Sequence, residues 1–232
     1  MKKLTLLFDA DDTLLDFDAA ETNSITKTLE ELNILHYDNI VESYKAFNLQ
    51  CWKEYEKNLL TKEQLGQERF KRLFNKYGIK NLDCKTIGDI YWKYLSQAHE
   101  VIDGVHDMLK QIYTKHDLYV ITNGVYAIQT SRFNKAGLEP YFKKRYISEL
   151  MQTRKPDKLF FDLIEKDLGG LDRENTYIIG DSLSSDIQGG INSGIKTIWF
   201  NNKKEENNTT ITPDYTVYNY AELLELIDKL SR

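Results

Sequence analysis

Three carboxylates crowd one short stretch, Asp9-Ala10-Asp11-Asp12, directly ahead of Thr13 and Leu14. Gathered at one place they repel one another and need a cation or a shared proton. A calcium-binding EF-hand loop is excluded, because Leu14 stands where its turn glycine belongs and Ala20 where its bidentate glutamate belongs. Three further stretches carry matching chemistry. Val120-Ile121-Thr122-Asn123-Gly124 ends in a hydroxyl and a glycine-containing turn, a pairing able to cradle phosphate oxygens. Arg154-Lys155-Pro156-Asp157 offers an ammonium on a backbone that Pro156 biases toward an extended form. Ile178-Ile179-Gly180-Asp181-Ser182-Leu183-Ser184-Ser185-Asp186 adds two acids at a spacing that converges on one hard cation.

Taken singly, these read as a solvated acidic turn, a strand-ending turn, a surface lysine and a moderately specific acidic pair. Together they fall at the carboxyl ends of predicted strands, the edge where open α/β sheets bind ligands. A phosphate monoester dianion brought to Asp9 beside Asp11, Asp181 and Asp186 is untenable without Mg²⁺ and Lys155 to offset the charge. Uncatalysed hydrolysis of such an ester is slow enough that enzymes accelerate it up to ~10²¹-fold. Passing the phosphoryl group through a covalent carboxyl phosphate is one way to lower that barrier.

The elements that must position these groups are short apolar runs: Leu4 to Phe8, Leu118 to Thr122, Thr176 to Gly180, Lys196 to Phe200 and a shorter one at Tyr146 to Ser148. Flat rather than alternating, they predict strands buried on both faces. Leu159, Phe160, Leu163, Ile164 and Leu168 recur at helical spacing, as do Leu223, Leu224, Ile227 and Leu230. Alternating strands and helices imply a doubly wound parallel α/β sheet. From about Phe17 to Val101 only helical patterns appear, dense in aromatics, which predicts an all-helical insertion. The expected division is residues 1–16 and 103–232 as α/β core and 17–102 as helical domain. Lys203 to Thr212 reads as a polar, mobile surface loop.

The four motifs, in this order and strand context, resemble those of the haloacid dehalogenase-like phosphatases over essentially the whole chain. The resemblance implies a Rossmann-like core with a helical cap that closes over the site and excludes water. It implies Asp9 as nucleophile and Mg²⁺ ligand. Asp11 would be the general acid/base, its carbonyl also on the metal. Thr122 and Lys155 would hold the phosphoryl oxygens, with Asn123 and Gly124 beside them. Asp181 would ligate Mg²⁺, and Asp186 would be a ligand or stand just behind one. Asp12, where many relatives have glycine, together with Thr-Asn-Gly and the stretches Trp52-Lys53-Glu54-Tyr55 and Gln67-Glu68-Arg69-Phe70, looks like the pyrimidine 5′-nucleotidase branch. That branch hydrolyses nucleoside monophosphates. Trp52, Tyr55 and Arg69 are the candidates for contact with a base, by stacking; packing within the helical domain is the ordinary alternative.

Other readings stay open to different degrees. A phosphosugar phosphatase or mutase shares the core. A phospho-accepting signalling receiver uses a similar kit, but its Asp lies on a later strand of a chain about half as long. A dehalogenase proper attacks carbon and has no use for Asp11, and a degenerate binding protein would lack a motif position.

The net charge of -5 and pI near 5.5 argue against nucleic acid as the main partner. No apolar run approaches the ~20 residues that cross a bilayer. Met1-Lys2-Lys3 with Leu4 to Phe8 falls short of a signal peptide, so a cytoplasmic monomer or homodimer acting on a small phosphate monoester is expected. Cys51 and Cys84 form no metal or disulfide pattern. His36, His99, His106 and His116 lie outside the motifs and read as surface or packing residues. Asn207-Asn208-Thr209 fits a glycosylation pattern, but in a cytoplasmic chain it is only a polar loop.

Overall fold

The computed structural model describes residues 2–232, which divide into two units: the chain up to Asp16 with Val101–Arg232, and Phe17–Glu100. In the first unit, strands β1 (Thr5–Phe8), β2 (Asp117–Thr122), β3 (Lys144–Ile147), β4 (Thr176–Gly180), β5 (Lys196–Phe200) and β6 (Tyr215–Val217) form one sheet of order β3-β2-β1-β4-β5-β6. Every pairing is parallel. The order reverses between β1 and β4, and this switch point opens a crevice at the carboxyl edge.

Alternate residues of each strand feed two cores. Leu6, Phe8, Leu118, Val120, Tyr177, Ile179, Ile198 and Phe200 pack on one face with α5 (Val105–Ile112) and α10 (Tyr220–Leu230). Leu7, Tyr119, Ile121 and Ile178 pack on the opposite face with α8 (Lys158–Asp167). Burial on both faces is why the strands read as flat apolar runs. The sheet is thus the doubly wound parallel one expected, with corrections at its margins. The short run begins at Lys144 rather than Tyr146, and Ser148 already belongs to α7 (Ser148–Met151). In α8 the buried stripe is Phe160, Phe161 and Ile164, whereas Leu159 is 57% exposed. Edge strand β6 has three residues and no apolar run to announce it. The loop before it is internally tied: Asn201 exchanges two hydrogen bonds with the main chain of Glu205, at 2.9 and 2.8 Å.

The second unit holds α1 (Phe17–Glu31), α2 (Ile40–Glu56), α3 (Lys62–Tyr77) and α4 (Cys84–Leu95). Thr61 and Gln64 close a reciprocal capping box at the start of α3, and Gly78 (φ 66°) ends it in the left-handed conformation that glycine takes without strain. Tyr44, Phe70 and Tyr91 form the aromatic centre, with ring centroids 5.2 to 6.0 Å apart. Through this centre runs a buried polar chain. Asn48 Nδ2 donates to Glu21 Oε1 at 2.5 Å, and Arg69 Nη1 donates to Asn48 Oδ1 at 3.1 Å.

Burial pushes the Glu21 carboxyl up to about 7, against the opposing pull of Asn48, Lys45 and Arg69. A folded-state value above the unfolded one means that the native state holds the extra proton between roughly pH 4.5 and 7. Stability therefore falls as pH rises through that window, by about 3 kcal/mol in all. Glu21→Gln, which keeps the acceptor for Asn48, is expected to raise the melting temperature at pH 8 and to leave it nearly unchanged at pH 4.5. Equal shifts at both pH values in thermal melts would contradict this account.

Candidate active site

Four chain segments meet at the switch point because the parallel register brings their ends level. Phe8 pairs with Val120 on one side and Ile179 on the other. Asp9 follows directly, its N–H bonded to Ile179 O at 2.8 Å. The turn beyond β1 closes on itself, with Leu14 N and Leu15 N both on Ala10 O at 2.9 Å. The Tyr220 hydroxyl pins it by donating to Thr13 O at 2.7 Å. Asp12 sits at φ 57°, and its N–H reaches Leu15 O at 2.8 Å. The left-handed conformation is one that Gly adopts freely and Asp tolerates, so an acid can stand at this position. Lys203 Nζ reaches Asp12 Oδ2 at 2.8 Å, a partner that the sequence did not disclose.

Lys155 is the hinge of the charge arrangement. Its ammonium, 2% exposed, lies 2.5 Å from Asp9 Oδ1, 2.6 Å from Asp186 Oδ1 and 3.1 Å from Ile121 O. Burial alone would lower its affinity for the proton; Asp186 and Asp9 reverse that and hold it above the ordinary lysine range. Burial pushes Asp9 up to about 8, opposed by Lys155 and reinforced by Asp186 and Asp11. Burial likewise raises Asp181 well above the usual carboxylate range, with Asp9, Asp186 and Asp12 adding repulsion. One lysine is outnumbered.

Asp9, Asp181 and Asp186 each offer an oxygen within 4.8 Å of the others. Asp186 stands in a wide helical turn, Leu183–Ile187, where Ile187 N bonds Ser182 O five residues back. Its Oδ2 also accepts from Ser182 N at 3.1 Å. Gly180 is obligatory there, since a Cβ would fall 2.3 Å from the Asp186 carboxyl. Trp199 Nε1 donates to Asp181 O at 2.7 Å and fixes the end of β4.

Thr122 ends β2, buried at 2% exposure, with Gly124 N donating to its Oγ1 at 3.0 Å. Asn123 has a structural task. Its Nδ2 donates to Lys155 O at 2.9 Å and its Oδ1 accepts from Lys155 N at 3.0 Å. Its Nδ2 also lies 3.3 Å from Ser185 Oγ. The side chain therefore clamps the lysine's main chain, and the Lys155–Pro156 peptide bond is cis. Asp11 is held by two side chains from α6 (Tyr126–Lys135): Gln129 Nε2 at 2.5 Å from Oδ2, and Arg132 Nη1 on Oδ1. Neither was anticipated, although two polar residues one turn apart on a core-facing helix stripe were a usable signal.

Within the helical unit, Trp52 is half-buried beside Tyr55, their rings 5.6 Å apart and edge-on. Tyr55 is 5% exposed and packs with Cys51 and Leu65. Arg69 is fully buried, its guanidinium 4.2 Å from the Trp92 ring centre and 4.4 Å from that of Tyr91. Arg69 is thus part of that unit's interior. His36 stacks on Tyr37 at 4.5 Å, and His116 Nδ1 accepts from Leu4 N at 3.2 Å.

Residues 6–200 match the family model described as haloacid dehalogenase-like hydrolase. The chain is 44% identical over 225 residues to the pyrimidine 5′-nucleotidase PynA of Streptococcus pneumoniae, covering 97% of this chain and 94% of that one. It is 30% identical over 229 residues to the pyrimidine 5′-nucleotidase YjjG of Escherichia coli, covering 99% and 100%. The crystal structure of the HAD-hydrolase YfnB of Bacillus subtilis, bound to magnesium, superposes with a TM-score of 0.92 at 34% identity, over 98% of this chain and 100% of that chain.

Proposed function

The chain belongs to the haloacid dehalogenase-like hydrolase family, and from that premise we propose that it is a phosphomonoesterase acting on pyrimidine nucleoside monophosphates through an aspartyl-phosphate on Asp9. The observation that carries the reading is the Lys155 ammonium set between Asp9 and Asp186 at the carboxyl ends of β1 and β4. A carboxylate able to attack phosphorus and a cation able to meet phosphoryl oxygens in one small space support the reading. The likeness to PynA and YjjG supports the substrate class.

The oxygens of Asp9, Asp181 and Asp186 fit a hard divalent cation, since three carboxylates share one small space and the raised proton affinities of Asp9 and Asp181 mark negative charge that Lys155 leaves unbalanced. When bound there, Mg²⁺ would neutralise phosphoryl charge and orient the ester. The residues do the rest. Lys155 and the Thr122 hydroxyl hold phosphoryl oxygens, so that Asp9 faces phosphorus in line with the ester bond. Asp9 Oδ attacks, the P–O ester bond breaks, and its electron pair leaves on the nucleoside oxygen, which takes a proton from Asp11. A water molecule then gives its proton to Asp11 and attacks phosphorus, and the electron pair of the acyl-phosphate P–O bond returns to Asp9. Of the three base-contact candidates, Trp52 alone is not buried and carries that part of the proposal.

The test is phosphate release from UMP, dUMP, dTMP, AMP, glucose 6-phosphate and an aryl phosphate, each with Mg²⁺ and with chelator. Chelator-sensitive release fastest on the pyrimidine monophosphates is expected. A preference for glucose 6-phosphate would discard the nucleotidase assignment and keep the mechanism. No release from any of them would overturn both. Among the described residues no helix is long and apolar enough to cross a membrane.

A further inference from the structure

Two side chains outside the four motifs grip the carboxyl of Asp11, one on each oxygen. Gln129 is 2% exposed and Arg132 is fully buried. A guanidinium taken that far from water is costly unless its charge is met, and an apolar residue between Ile128 and Phe133 would pack at lower cost. Its placement there points to a task, and the carboxylate it meets is Asp11. That carboxylate needs holding: it is 28% exposed and sits on a turn beside Asp9 and Asp12, which repel it. The donors stand on α6 rather than on the turn, so the carboxyl is referenced to the helix and sheet scaffold.

Gly124 gives independent support. A Cβ there would fall 2.4 Å from Gln129 Nε2 and 2.6 Å from its Cγ. The third residue of Thr-Asn-Gly therefore clears the passage by which Gln129 reaches Asp11. The amide must present Nε2, since a carboxylate accepts and Oε1 would be repelled. Each Asp11 oxygen keeps a further lone pair beyond the one these donors use, so the carboxyl can carry and pass a proton while held.

We propose that Gln129 and Arg132 are positioning residues that fix Asp11 in the geometry for protonating the leaving oxygen. The proposal rests on the phosphohydrolase reading above. A misplaced acid matters only where the leaving group needs a proton. A nucleoside alkoxide does; a 4-nitrophenolate departs without one. The test measures single-turnover phosphoryl transfer, which isolates the first step from the later use of Asp11 on water. Substrates are UMP and 4-nitrophenyl phosphate, with the wild type, Gln129→Met, Arg132→Met and Arg132→Lys. Gln129→Met preserves volume and is expected to melt close to the wild type, so it carries the test even where Arg132→Met folds poorly.

The expected result is a loss of about 10²-fold in transfer from UMP for Gln129→Met, with KM little changed and transfer from 4-nitrophenyl phosphate within a few-fold of wild type. Arg132→Lys should recover part of the loss seen with Arg132→Met. Equal losses on the two substrates, a change confined to KM, or a rate at or above wild type would overturn the positioning role while leaving the phosphohydrolase standing. A wild type that transfers phosphate from neither substrate would overturn both.

Discussion

Asp9→Asn is expected to cut phosphate release by about 10³-fold or more, as removal of a covalent nucleophile does elsewhere. The fold should persist. The change is nearly isosteric, Lys155 keeps Asp186 at 2.6 Å, and one of the crowded acids is removed. The amide is neutral and a poor nucleophile, so attack on phosphorus has no substitute, while the remaining groups still bind the ester. Two measurements check it: steady-state release with Mg²⁺, and the intact mass of acid-quenched protein during turnover. The wild type should carry a phosphoryl adduct and the variant none. Retention of more than a few percent of the Mg²⁺-dependent rate would remove Asp9 from the role.

Lys155→Met is expected to damage both activity and stability. Its ammonium is the buried cation between Asp9 and Asp186, and removing one partner of such a cluster strands the other charges. The cost of breaking a buried pair is ~3–5 kcal/mol, which lowers the melting temperature of a chain this size by on the order of 10 °C. The sign of the pH dependence follows from the carboxylates left behind. Burial already pushes Asp9 up to about 8 with Lys155 present, and without the lysine's opposing charge Asp9 holds its proton still more tightly in the folded state. More protons bound when folded than when unfolded means stability that falls as pH rises. Measured with chelator present, the gap in melting temperature between wild type and variant should therefore widen as pH rises through about 8, where wild-type Asp9 gives up its proton and the variant's Asp9 does not. A gap independent of pH would show that Lys155 acts by packing alone.

The strands that deliver the motifs were legible because burial on both sheet faces leaves a plain apolar signature, as in Leu118 to Thr122 and Thr176 to Gly180. Strand β6 was not, since an edge strand of three residues needs no such run. The acids and Lys155 were legible from residue type and spacing. Their supports were not: Gln129 and Arg132 meet Asp11 across more than a hundred residues of chain, a contact set by how α6 packs and not by local pattern. The same holds for Asn123. Its side chain had been expected beside phosphate, and a clamp on the Lys155 main chain becomes visible only when β2 and the residue before Pro156 lie together. Arg69 shows the converse error of reach: a basic residue amid aromatics fits a ligand platform and an interior stack equally well in sequence.

The chain leaves the sheet unit after Asp16 and re-enters it at Val101; Leu15 and Val101 pair as an isolated antiparallel bridge, with Ile102 N bonded to Leu14 O at 3.1 Å. Departure and return are therefore neighbouring rungs of one short ladder. To the sheet, everything between them is a loop whose closure is already made, and closure cost grows only slowly with loop length. Such a junction works like a socket. Segments of quite different length and sequence could be exchanged in it over evolutionary time, or by grafting in the laboratory, without altering the register that sets Asp9 against Lys155. Diversification of substrate and conservation of chemistry can then proceed on separate stretches of one gene.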